Sequence, residues 1–198
     1  MILKNTTLKN RIRKIIEKHP EVCDILIFGS VIRGKDKPND FDILVLFEHE
    51  VDKDTEYILR KEIEKDYSNV SIISKTKKTV LDETFDAREA VLFEGISLIN
   101  SKSLAGNYGF SSFGLFKYNF KDWNKLKKTK FYYAINGRGG KKGIANILGA
   151  IKISDSLMII PLDKIEDFKE FLDTWKIEYI YIPVLIPNRL SRKKILER

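Results

Sequence analysis

The 198-residue sequence predicts an α+β protein in two parts, an N-terminal domain over residues 1–103 and a smaller, basic α/β domain over residues 116–198. Three observations predict it. Short apolar runs bounded by glycine or aspartate alternate with stretches of helical spacing. A glycine-, serine- and aromatic-rich segment, Gly106–Gly114, reads as a linker or loop between them. The charge is also divided: residues 1–100 hold 17 basic and 19 acidic residues, whereas residues 101–198 hold 19 and 9. The formal net charge of +8 is therefore −2 on one half and +10 on the other. Such asymmetry points to a polyanion partner, although a lysine-rich face also serves solubility alone.

The elements follow in order. Thr7 to Lys18 carries Leu8, Ile12, Ile15 and Ile16 among basic residues, an amphipathic helix that His19-Pro20 ends. His19 reads as a solvated residue at that end. Asp24–Phe28 and Asp42–Phe47 read as buried strands, with Gly34 to Asn39 as the loop between them. Asp52 to Asp66 has helical spacing, Val70–Ser74 is a third strand, and Phe85–Glu94 is a helix with Gly95 as its C-cap. In the second half, Lys121–Ile135 reads as a basic helix, followed by a glycine-rich loop at 137–143. Leu157–Ile160, Ile165–Trp175 and Tyr179–Ile186 read as strand, helix and strand, and Arg189–Arg198 as a basic tail.

Composition excludes several classes. With 43% hydrophobic and 32% charged residues, 11 Gly and 5 Pro, the chain is neither collagenous nor low-complexity nor strongly disordered. A chain this long buries about 70% of its unfolded surface. No apolar run approaches the ~20 residues a membrane helix needs, and no secretory leader is expected at the N-terminus. The single cysteine, Cys23, forbids an intrachain disulfide and a cysteine-based zinc cage. A cytoplasmic location is the expectation.

The informative segment is Ile27–Phe47. Gly29, Gly34 and Lys35 fit a phosphate loop, but Asp36 replaces the hydroxyl residue that would bind magnesium. Pro38 and Asn39 then interrupt the helix that motif needs. A different chemistry fits better. In a strand, residues i and i+2 share a face, so Asp40 and Asp42 project together. Two crowded carboxylates repel unless a cation lies between them, and hard oxygen ligands suit Mg²⁺ or Mn²⁺. Ten residues before Asp40, Gly29-Ser30 ends an apolar strand. A glycine there admits a close backbone approach, and the Ser30 hydroxyl and nearby amides can hold a phosphate. A phosphate cradle facing a metal-binding Asp-x-Asp strand is what nucleotidyl transfer requires. A solvated loop with two chance aspartates explains Asp40, but not Asp42 inside an apolar strand.

At Phe28, Gly29-Ser30, Arg33-Gly34 and Asp40-Phe41-Asp42-Ile43 the sequence resembles the nucleotidyltransferase superfamily related to DNA polymerase beta, especially its minimal members. The resemblance covers residues 10–100 and extends to a closing glutamate-glycine turn, echoed by Phe93-Glu94-Gly95. It implies a nucleotidyltransferase fold with a mixed sheet. It further implies Asp40 and Asp42 as catalytic, metal-binding residues, and Gly29, Ser30 and Arg33 as the nucleotide site for an NTP, with ATP the expected one. One departure stands out. Active members carry a third carboxylate on the following strand, where this chain has Ser71, a poor general base. Asp66, Asp82 and Asp86 are the alternatives that spacing leaves open.

The basic half adds a second clue. Between Lys117 and Lys152 there are ten basic residues and one acid, Asp122, interleaved with Tyr118, Trp123, Phe131, Tyr132 and Tyr133. Lysines beside stacking aromatics form the pattern single-stranded nucleic acid needs, and Lys127, Lys128, Arg138, Lys141 and Lys142 are the expected contacts. The glycine loop at 137–143 offers a wrap for a phosphate. Against this stands a plainer reading, a helix whose aromatics face the core and whose lysines face water. The expected function is metal-dependent transfer of NMP from an NTP to an RNA, DNA or protein acceptor, with no membrane involved. The rival is a non-catalytic nucleic-acid-binding or antitoxin-like module that retains the fold.

Overall fold

The computed structural model describes residues 2–35, 40–121 and 123–191. The loop positions 36–39, Asp122 and the basic tail from residue 192 onward lie outside the described residues. The chain divides into two compact units, Met1–Tyr108 and Gly109–Arg198.

In the first unit, α1 (Thr6–Ile16) buries Leu8 and Ile12, one helical turn apart, and Asn5 caps it by accepting from the Leu8 N–H at 2.9 Å. Strand β1 (Val22–Phe28) leads to β2 (Phe41–Phe47), and the two pair antiparallel with Phe28 opposite Asp42. Helix α2 (Lys53–Glu64), capped by Asp52, buries Leu59 and Ile63. It serves as the crossover to β3 (Val70–Thr76), which pairs parallel with β2 and sets Ser71 beside Asp42. Helix α3 (Arg88–Glu94), strand β4 (Ile96–Ser97) and the short α4 (Leu104–Asn107) complete the unit. The sheet order is β3-β2-β1-β4, with one parallel and two antiparallel pairings. This is the expected mixed sheet.

Central strands β1 and β2 are nearly continuous apolar runs because the sheet buries both their faces. On the face that carries Asp42, Leu26, Phe28, Leu44 and Leu46 pack with Val80, Phe85 and Val91. Each such side chain contributes about 1.5–3 kcal/mol when fully buried. This cluster holds the C-terminal end of α3 against the sheet.

In the second unit, β5 (Phe110–Tyr118) precedes α5 (Lys125–Asn136), the hairpin pair β6 (Gly137–Arg138) and β7 (Lys141–Lys142), and α6 (Ile144–Leu148). Strands β8 (Ile151–Ser154) and β9 (Leu157–Pro161), helix α7 (Ile165–Thr174), strand β10 (Tyr179–Pro187) and the short α8 (Asn188–Ser191) follow. The sheet order is β10-β5-β9-β8, and every pairing in it is antiparallel. The unit is thus α+β, not the α/β arrangement expected from its alternation of strands and helices. The reason is the tight β8–β9 hairpin, which needs no crossover helix. Helix α7 buries Ile165, Phe168 and Leu172, and the Phe168 ring meets Phe116 edge-on at 5.0 Å.

The segment expected as a linker, Gly106–Gly114, is instead the end of α4 and the first half of β5. Its serines and glycines read as turn formers, yet β10 pairs with β5 along its whole length and β9 flanks it over Phe113–Lys117. Gly114 is there for space: a Cβ would come within 2.9 Å of the rings of Phe116 and Tyr181.

Candidate active site

The Asp-x-Asp segment and the Gly-Ser turn meet at one end of the β1–β2 pair. Asp40 immediately precedes β2 and is exposed, whereas Asp42 is its second residue and half-buried. Gly29 ends β1 with φ +84°, in the left-handed region that costs an L-side chain about 1 kcal/mol or more. A Cβ at Gly29 would also collide with the Asp42 carboxylate. Glycine is therefore required twice over, by the backbone and by the acid it faces. Ser30 opens the following turn, in which Ile32 N–H donates to Gly29 and Lys35 N–H to Ser30.

Glu94 adds a residue that sequence reasoning did not assign to the site. It is 5% exposed at the end of α3. Its carboxylate accepts the Gly29 N–H at 2.7 Å and the Arg33 guanidinium at 2.5 Å. The Gly29 amide is thus engaged by Glu94, and the space its missing Cβ leaves is filled by the Asp42 carboxylate. A buried acid needs such charge-assisted partners, and here they brace the Gly-Ser turn against α3. The signal was a lone charge closing the apolar run Ala90-Val91-Leu92-Phe93.

Burial raises the pKa of Asp42; the charges of Asp40 and Glu94 add to this, and Arg33 opposes it. Crowded acids of this kind fit a divalent cation held between Asp40 and Asp42. None of the alternatives for a third acid is among the charges acting on Asp42. Asp66 pairs with Arg11 at 2.6 Å, Asp82 accepts from Thr84 at 2.7 Å, and Asp86 is exposed in the turn before α3. The neighbour across the strand pairing is Ser71.

A second group of ligand-type atoms, from His19, Glu21 and Asp52, lies at the other end of β1. Eight residues of nearly extended chain separate Glu21 from Gly29, roughly 25 Å. The Thr55 hydroxyl binds this group together, 2.5 Å from Asp52 and 2.8 Å from His19. His19 is thus more than a solvated residue at the helix end.

In the second unit, the expected basic residues gather on α5 and the hairpin that follows it. Lys127 lies over the Trp123 ring at 3.7 Å, Arg138 over Tyr133 at 4.5 Å, and Lys128, Lys141 and Lys142 are exposed. The aromatics divide between the two readings. Phe131 is 1% exposed and packs with Phe120, Trp123 and Trp175, while Tyr132 is 50% exposed.

The first unit has the mixed sheet of a nucleotidyltransferase fold, with a Gly-Ser turn facing an Asp-x-Asp strand. Residues 10–97 match the family model described as polymerase beta, nucleotidyltransferase. Among solved structures, a mutant of the toxin–antitoxin MntA–HpeT is similar at 20% identity, covering 46% of this chain and 70% of that one with a TM-score of 0.35. No curated protein matches the chain. Among the described residues, no helix is long and apolar enough to cross a membrane.

Proposed function

We propose that the protein transfers a nucleoside monophosphate from an NTP, ATP being the expected one, to a hydroxyl of an RNA, DNA or protein acceptor, with pyrophosphate as the leaving group. The observation that carries this reading is the placement of Asp42 directly against Gly29, with Asp40 two residues away and Arg33 braced by Glu94. Asp40 and Asp42 would hold Mg²⁺ or Mn²⁺. That ion would supply charge neutralisation at the triphosphate and activation of the attacking oxygen. The chain's own residues do the rest. Gly29 lets the Asp42 carboxylate sit against the turn, the Ser30 hydroxyl donates to a phosphate oxygen, and Arg33 keeps positive potential next to the acids. Ser71, next to Asp42, binds a water or the acceptor hydroxyl but does not take its proton at neutral pH.

The test is incubation with Mg²⁺ or Mn²⁺, each labelled NTP, and pooled RNA, DNA and protein, beside an Asp40→Ala/Asp42→Ala variant. The expected result is metal-dependent label transfer that the double variant lacks. The position of Ser71, where a third acid would stand, favours a second reading: a non-catalytic binding or antitoxin-like module. No transfer to any acceptor, with nucleic acid still bound, would establish that reading and overturn the first.

A further inference from the structure

Unit two contains a cavity of about 410 Å³, a size typical of small-ligand sites. Its wall includes Phe120, Phe131 and Tyr132, and its polar edge includes Lys128, Lys152 and Asp155. Three features point to its occupant. Tyr132, half exposed, presents an aromatic ring with the Lys152 ammonium over it at 5.0 Å, while Phe120 and Phe131 beside it pack edge-on at 5.4 Å. Next, the start of α5 carries Lys125, Lys127 and Lys128 and no acid. Three cations at the positive end of a helix dipole repel both it and one another, an arrangement that an anion relieves. Finally, Lys152 and Asp155 pair at 2.6 Å, placing a donor and an acceptor side by side on the rim. Behind the wall, Tyr118 packs edge-on against Phe120 and Phe131, and its buried hydroxyl has no hydrogen-bond partner among the described residues.

A flat ring, a donor–acceptor edge and an adjoining phosphate are the parts of a nucleotide. We propose that this cavity takes a base of single-stranded nucleic acid, with the flanking phosphates on the lysines of α5. Base stacking on an aromatic ring with lysines tracking the backbone is the general basis of single-strand binding. The inference rests on the transfer reading only for the strand's role as acceptor. Strand binding itself needs neither metal nor NTP.

The experiment is fluorescence anisotropy of the full chain with a labelled single-stranded oligonucleotide of about 12 residues, without metal or NTP. Competitors are an abasic strand of equal length, a duplex and a mononucleotide. The expected result is that the unmodified strand competes at least tenfold better than the abasic strand or the mononucleotide. Tyr132→Ala should weaken binding by about tenfold or more, as loss of one stacked base does, while Tyr132→Phe should keep it. Lys128→Ala should lower the salt slope by about 0.7, the value for one phosphate of a single strand. Tyr132 is half exposed, so its replacement leaves the fold intact, and circular dichroism checks this. Equal competition by the abasic strand, or an unchanged affinity in Tyr132→Ala, would overturn the proposal. Equal competition by the mononucleotide would replace the strand with a free nucleotide, and preference for duplex would remove the base pocket. Binding without label transfer would leave this proposal standing and overturn only the transfer reaction.

Discussion

Gly29 concentrates the site into one position. Its backbone is left-handed and its missing Cβ is the space that the Asp42 carboxylate requires. Gly29→Ala should therefore cost about 1–3 kcal/mol of stability in urea denaturation, combining backbone strain with displacement of the acid. It should also abolish metal-dependent label transfer. A variant as stable as the parent would show that Asp42 turns aside freely. Gly29, Ser30, Asp40 and Asp42 were legible in the sequence because they are close along the chain and have few physical substitutes. Glu94 was not, because it lies 65 residues from Gly29, the residue whose amide it accepts. A lone charge closing an apolar helical run marks Glu94 as unusual, but not which backbone amide and guanidinium the fold will bring to it.

At the scale of elements, α5 is the helix whose sequence conflicts with its own electrostatics. Asn124 caps it by accepting from the Lys127 N–H at 2.8 Å, and lysines fill its first turn. Asn124→Asp keeps the cap and adds a negative charge to the helix start. It should stabilise the unit by about 0.3–1 kcal/mol, read as a raised Tm, and weaken single-strand binding in the same protein. If both change in the same direction, the lysines are not an anion site. Strand β5 teaches a different lesson. Gly106–Gly114 reads locally as a linker or loop, but β10 pairs with it from Phe110 onward and β9 joins at Phe113, and such partners outweigh a local propensity. The antiparallel sheet of unit two was hidden for a related reason. Alternating strands and helices suggest a parallel sheet, and only the connections, hairpin or crossover, decide each strand's direction.

For the whole molecule, the charge belongs to two units with different tasks. The first, at −1, holds the acids of the candidate metal site, while the second carries the surplus of lysine and arginine. If the basic surface binds phosphates, changing Lys127, Lys128, Lys141 and Lys142 together to Ala should lower the salt slope of nucleic-acid binding by up to about 3. Transfer to a small hydroxyl acceptor should persist in that variant. An unchanged slope would return those lysines to a solvated face.

By itself, the sequence determined β1, β2, β3, α1, α2 and α3 of the first unit, the Gly-Ser and Asp-x-Asp pair, the mixed sheet that its family resemblance implied, and the division of charge. These are properties of short segments, whose periodicity and residue chemistry are carried locally. Only the tertiary structure decided that Glu94 braces Gly29 and Arg33, that β5 is a central strand, and that Phe131 is core while Tyr132 stands open. Each of those outcomes depends on contacts between residues far apart in sequence, and such contacts exist only once the sheets have paired.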